Sequence, residues 1–192
     1  LHLRPRRQRQ DVYKRQVFVD GESGSEGTVR DNLVELISGL KGRVAVTTFA
    51  SNVARVVSVV EAARQAGRSV CLVGRSMHKI TDAAIATGLI KDMPDLISEE
   101  AAGSLPDENL LFLCTGSQGE ARAALGRIAR DDHRHISLGE GDTVIFSSRV
   151  IPGNEKGIYD MQNALAEKGV RIITDRRGQP PIHVSGHPAR DE

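Results

Sequence analysis

The sequence predicts an α/β fold: one domain built on an open, mostly parallel sheet with helices on both faces. Two observations predict it. Short apolar runs alternate with helix-like stretches of about 10 to 16 residues, the pattern of right-handed βαβ crossovers. Four of those runs also end in a cluster of Ser, Thr, Gly or Arg just before the next helix-like stretch.

The elements follow in chain order. Residues 1–16 hold Arg4, Arg6, Arg7, Arg9, Lys14 and Arg15 against Asp11 and lack apolar periodicity, so they are expected to be disordered or non-native. Residues 11–16 read as the in-frame translation of a transposon sequencing adapter. Residues 17–27 form a lead-in loop, with Ser23 and Glu26 spaced as a capping box. A helix is expected over 28–40, with Leu33, Leu36, Ile37 and Leu40 on one face. The first strand is 44–47. Ser51 then serves as N-cap for a helix carrying Val53, Val56, Val57, Val60 and Ala63, stopped by Gly67.

Residues 70–73 make the second strand and 76–87 a helix ended by Gly88. A polar stretch with Pro94 and Pro106 follows, with short helical turns. The remaining expectations are a strand at 110–114, an Ala-rich helix at 120–130, a loop at 131–142 and a strand at 144–146. A helix at 154–168, a strand at 170–174 and a last short strand at 182–185 complete the domain.

Composition narrows the function classes. The chain has 192 residues, 39% hydrophobic and 27% charged, ordinary for a soluble domain. Its apolar runs fall far short of the roughly 20 residues that span a bilayer, and no secretory pattern is present. A cytoplasmic protein is expected, with Cys71 and Cys114 as buried, reduced thiols. The net charge is +1, but the excess positive charge sits in residues 1–16. Any nucleic acid must therefore be met by local basic groups. Aromatics make up only 3%, which argues against a base-stacking platform.

The four polar junctions are Thr47-Thr48-Phe49-Ala50-Ser51-Asn52, Gly74-Arg75-Ser76, Thr115-Gly116-Ser117-Gln118-Gly119-Glu120 and Ser147-Ser148-Arg149. Behind parallel strands they share the carboxyl edge of the sheet, where ligands of open α/β sheets bind. Hydroxyls, backbone N–H groups and helix starts suit an anion there. In the third junction two glycines allow close approach, Ser117 offers a hydroxyl, and a helix starting near Glu120 adds N–H groups. Neither a Walker A loop nor a dinucleotide fingerprint is present. Arg75 and Arg149 occupy equivalent strand-end positions.

Of the histidines, His2 lies in the tail and His78 on a helix surface. Asp131-Asp132-His133-Arg134-His135 looks superficially like a metal cluster but lacks the rest of a shell. His187, in Ser185-Gly186-His187-Pro188, follows the last expected strand. It is placed to donate to a phosphoryl oxygen or act as general acid.

The first and third junctions, residues 144–155 and His183-Val184-Ser185-Gly186-His187, together resemble the β-CASP domain of the ribonuclease J family, in the family's order. The resemblance covers residues 17–192, with the β-CASP domain at 28–187 and the start of a return to a metallo-β-lactamase domain at 188–192. It implies a 5′-to-3′ exo- and endoribonuclease acting in RNA processing and decay, with two zinc ions in the metallo-β-lactamase domain. It also implies RNA and that domain as partners, and a parent that forms homo-oligomers. His187 resembles the contact to the scissile phosphate. Ser51 and Ser117 resemble positions at the pocket for the 5′-phosphate or terminal nucleotide. Asn52, Gln118, Glu120, Ser185 and Gly186 lie beside them. The family's His-x-His-x-Asp-His motif is absent, so no zinc ligand is expected in this chain, which reads as an inactive fragment. The alternative is a self-standing α/β module that binds a nucleotide or 5′-phosphate without catalysis.

Overall fold

Five apolar runs become the strands of one all-parallel sheet, and the flanking helices bury both of its faces. The computed structural model describes residues 25–175 and 179–184. The strands are β1 (Val44–Thr47), β2 (Ser69–Val73), β3 (Leu110–Cys114), β4 (Thr143–Phe146) and β5 (Arg171–Thr174), in the order β2-β3-β1-β4-β5. The helices are α1 (Glu26–Ser38), α2 (Val53–Gln65), α3 (Arg75–Ala86), α4 (Glu99–Ala102), α5 (Ala124–Ala129) and α6 (Glu155–Glu167). The chain runs from β1 outward to β2, returns through β3, then crosses β1 to reach β4 and β5.

Alternate residues of each strand serve opposite faces. Val44, Val46, Leu72, Leu111, Leu113 and Ile145 pack with α1 and α2. Ala45, Cys71, Phe112, Val144 and Phe146 pack with α5 and α6. The strands must be apolar on both faces because neither meets water. Burial raises both thiols, Cys71 and Cys114, to about 12, so they stay protonated.

Register sets up the functional edge. Val73 pairs with Cys114, Cys114 with Thr47, Thr47 with Phe146 and Phe146 with Thr174. The strand ends are therefore flush, and the turns after them emerge side by side. At the amino edge the polar groups are closed off by protein. Arg68 donates to the carbonyls of Leu40, Gly42 and Leu110, and Arg43 pairs with Asp142 at 2.8 Å.

Several expectations are corrected. The N-cap of α1 is Ser25, whose hydroxyl accepts from the Thr28 amide at 3.1 Å, and Glu26 turns to Arg55 instead of completing a capping box. Asn52, not Ser51, caps α2, its Oδ1 accepting from the Arg55 amide at 3.1 Å. Val57 is exposed, and Val59 takes the inward position. The helix expected at 120–130 shrinks to α5, because Thr115 captures its first amides. Thr115 O accepts from Leu125 N and its Oγ1 from Ala124 N.

Residues 182–184 form no strand. The Ile182 carbonyl accepts side-chain donors from Ser147 and Arg55 in place of a ladder partner. The expectations for residues 1–24, the turn at 176–178 and residues 185–192 lie outside the described residues.

Candidate functional site

Three of the four polar junctions open into one cavity of about 800 Å3. Thr48, Phe49, Ala50 and Ser51 come from the turn after β1, and Gly74, Arg75 and Ser76 from the turn after β2. Thr115, Gly116, Ser117 and Glu120 come from the turn after β3. The lining also includes Arg122, Arg127, Arg134, His78, His133 and His135. Four arginines face only two carboxylates, Glu99 and Glu120, so the cavity is positive and suits an anion.

Ser51 and Ser117, both expected at the site, line the cavity from neighbouring strands. Because Asn52 takes the capping role, Ser51 is left exposed. Ser117 is buried at the floor. Glu120 also lines the cavity, and its Oε2 accepts from the Gln118 amide at 2.9 Å, which fixes the turn.

Gln118 itself points away. Its Nε2 donates to the Arg149 carbonyl at 2.8 Å, and its Oε1 accepts from the Ile151 amide at 2.9 Å and Asn154 Nδ2 at 3.3 Å. It is a buried clamp between the turns after β3 and β4. Asn52 likewise supports the loop and does not line the cavity.

The glycines of the third junction admit protein, not ligand. A Cβ on Gly119, whose φ is +76°, would lie 2.3 Å from the Gly157 carbonyl carbon, so α6 packs directly on this turn. Gly116, at φ +118°, gives room to Leu125 and Ala123.

The fourth junction serves a different structure, one the sequence reading missed. Arg55 is fully buried. Its guanidinium pairs with Glu26 at 2.5 and 3.0 Å and donates to Ser147 Oγ at 2.7 Å. It also donates to the carbonyls of Ser147 and Ile182, and lies 3.2 Å from His183 Nδ1. One side chain thus joins α1, α2, the end of β4 and residues 182–183. Burial would raise the Glu26 carboxyl, but Arg55 outweighs it and holds the group below its usual range. His183 falls to about 4, first through burial and then through the Arg55 charge, so it is neutral at pH 7. The available signal was spacing: Arg55 shares a helical stripe with Val59 and Ala62.

His133 and His135 face Glu99 and Glu100, with Nε2 to carboxylate oxygen distances of 4.0 and 3.6 Å. Burial, opposed by Glu99, lowers the His133 pKa. Among the described residues no group of three or more His, Cys, Asp and Glu could hold a metal ion, so these side chains do not fit zinc. Ser185, Gly186 and His187 lie outside the described residues.

The family model described as ribonuclease J, beta-CASP domain, matches residues 41–165, which contain β1 to β4 and the whole cavity lining. The chain belongs to the ribonuclease J beta-CASP family. Among the relatives, "Ribonuclease J" of Sinorhizobium meliloti is 48% identical over 173 residues, 90% of this chain and 30% of that protein. The Mycolicibacterium smegmatis "Ribonuclease J" is 44% identical over 168 residues, 87% and 30%. The Mycoplasma genitalium one is 39% identical over 175 residues, 91% and 31%. The chain thus spans about 30% of the length of these ribonuclease J relatives. No helix among the described residues is long and apolar enough to cross a membrane.

Proposed function

We propose that this chain is the RNA-holding portion of a zinc-dependent ribonuclease that works in RNA processing and decay, by 5′-to-3′ exonucleolytic and endonucleolytic cleavage. The observation that carries this is the convergence of three polar strand ends on one positively charged cavity. The relatives' name, ribonuclease J, supplies RNA as the source of the anion. Ser51 and Ser117 hold the terminal phosphate or nucleotide, while Glu120, Gln118 and Asn52 fix the turns that carry them. His187, with Ser185 and Gly186, contacts the scissile phosphate.

The two zinc ions are assigned to residues of a metallo-β-lactamase domain of the same parent, which is the chain's first partner. Zinc supplies the attacking hydroxide when bound. The chain alone is expected to bind RNA ends without hydrolysing them, and the parent to be a cytoplasmic homo-oligomer.

Isothermal titration of the chain with uridine 5′-monophosphate tests the phosphate assignment. Binding is expected, weakened about tenfold by Ser117→Ala through loss of one hydrogen bond to a charged group. Unchanged affinity in that variant, or no binding at all, refutes it.

A further inference from the structure

The cavity holds more positive charge than one phosphate needs. Arg75, Arg122 and Arg134 line it, are exposed, and make no hydrogen bond or ion pair among the described residues. Arg127 is already engaged, its Nη2 donating to the Asp132 carbonyl at 2.9 Å. Both lining carboxylates face protein groups: Glu120 accepts from the Gln118 amide, and Glu99 faces His133.

Two further features belong to the same cavity. The 12-residue α3 starts there from Gly74, which offers no side-chain cap, so the first amides of the helix lack a capping partner. A bound anion satisfies such groups. His133 also lines the cavity. Its side chain is 7% exposed, and its Nδ1 is buried without a hydrogen-bond partner among the described residues. A volume of about 800 Å3 accommodates a ligand of several groups.

We infer that Arg75, Arg122 and Arg134, which line the cavity together with the uncapped start of α3, form a second anion subsite. It takes a further phosphate of the ligand whose terminal phosphate sits at Ser51 and Ser117, and so rests on the reading of the edge given above. Two linked phosphates are the chemistry recognised. Consecutive RNA backbone phosphates and the phosphate chain of a free nucleotide both supply it.

Calorimetry on the 192-residue chain compares uridine monophosphate, the 5′-phosphorylated dinucleotide pUpU, uridine triphosphate and inorganic tripolyphosphate. The second phosphate is expected to gain about tenfold in affinity over the monophosphate. The triple variant Arg75→Gln, Arg122→Gln, Arg134→Gln, all at exposed positions, should erase that gain, so that it binds the dinucleotide no more tightly than the monophosphate. A gain for pUpU alone identifies RNA as the source, and one for the triphosphate alone a free nucleotide. Should the monophosphate fail to bind, arginine-dependent binding of tripolyphosphate still upholds the subsite while refuting the reading of Ser51 and Ser117. The inference is overturned if wild-type affinities are equal, if the gain survives in the triple variant, or if no probe binds.

Discussion

Arg55 and Arg75 both lie in the first turn of a helix at the carboxyl edge of the sheet, yet they do opposite jobs. Arg55 is fully buried, with every nearby acceptor supplied by protein: Glu26, Ser147, Ile182 and His183. Arg75 is exposed on a cavity wall and has no protein partner among the described residues. The same residue type is structural where the fold provides carboxylates and carbonyls, and available to a ligand where it does not. The edge accordingly divides in two. The turns after β1, β2 and β3 line an open, positively charged cavity, while the turn after β4 closes onto a buried charge.

The largest expected effect breaks the closed half. Arg55→Ala leaves the half-buried Glu26 carboxylate, Ser147 and the Ile182 carbonyl without their donor. Breaking one side of such a pair costs about 3 kcal/mol. Arg75→Gln, by contrast, should stay within about 0.5 kcal/mol of the parent, as surface substitutions do. Urea denaturation of the two variants checks the contrast, and equal losses would erase the distinction between the halves.

A smaller effect comes from acid. His183 titrates near 4 in the fold and near 6.5 when unfolded, so the unfolded chain gains a proton first as pH falls. Its contribution to stability is full above about 6.5 and is lost as pH falls from there toward 4. Glu26, held below its usual range, adds a further loss below about 4.5, as pH falls through its folded value. Thermal melts from pH 7.5 to 4.5 should show a falling Tm, with a shallower decline in His183→Gln. An identical slope in both proteins would remove His183 from the account.

The division of the edge was only partly legible in the residues. The runs at 44–46, 70–73, 110–114 and 144–146 are apolar throughout, and strands of a doubly covered sheet need no other signal. The position of Ser51 and Ser117 on the cavity was also legible, because a hydroxyl next to a strand end has few other places to go. The roles of their neighbours were not. Ser51 and Asn52 are both good capping residues, and only the local backbone decides that Asn52 caps. Gln118 stands in a turn that reads as ligand-facing, but its amide finds partners 31 to 36 residues away, across the gap to the turn after β4. Gly119 offers the room an anion needs, yet that room is filled by Gly157 of α6. Arg55 escaped notice for the same reason: its meaning lies in four segments that meet only after folding.

The central claim is that the turns after β1, β2 and β3, and not the turn after β4, hold the terminal phosphate. Amide chemical-shift mapping of the labelled chain during titration with uridine monophosphate tests it most directly. Perturbations are expected at Ser51, Gly116 and Ser117, with Ile182 and the groove beside Asn32 and Ile173 unmoved. Shifts centred on that groove, or none at the three turns, would contradict it.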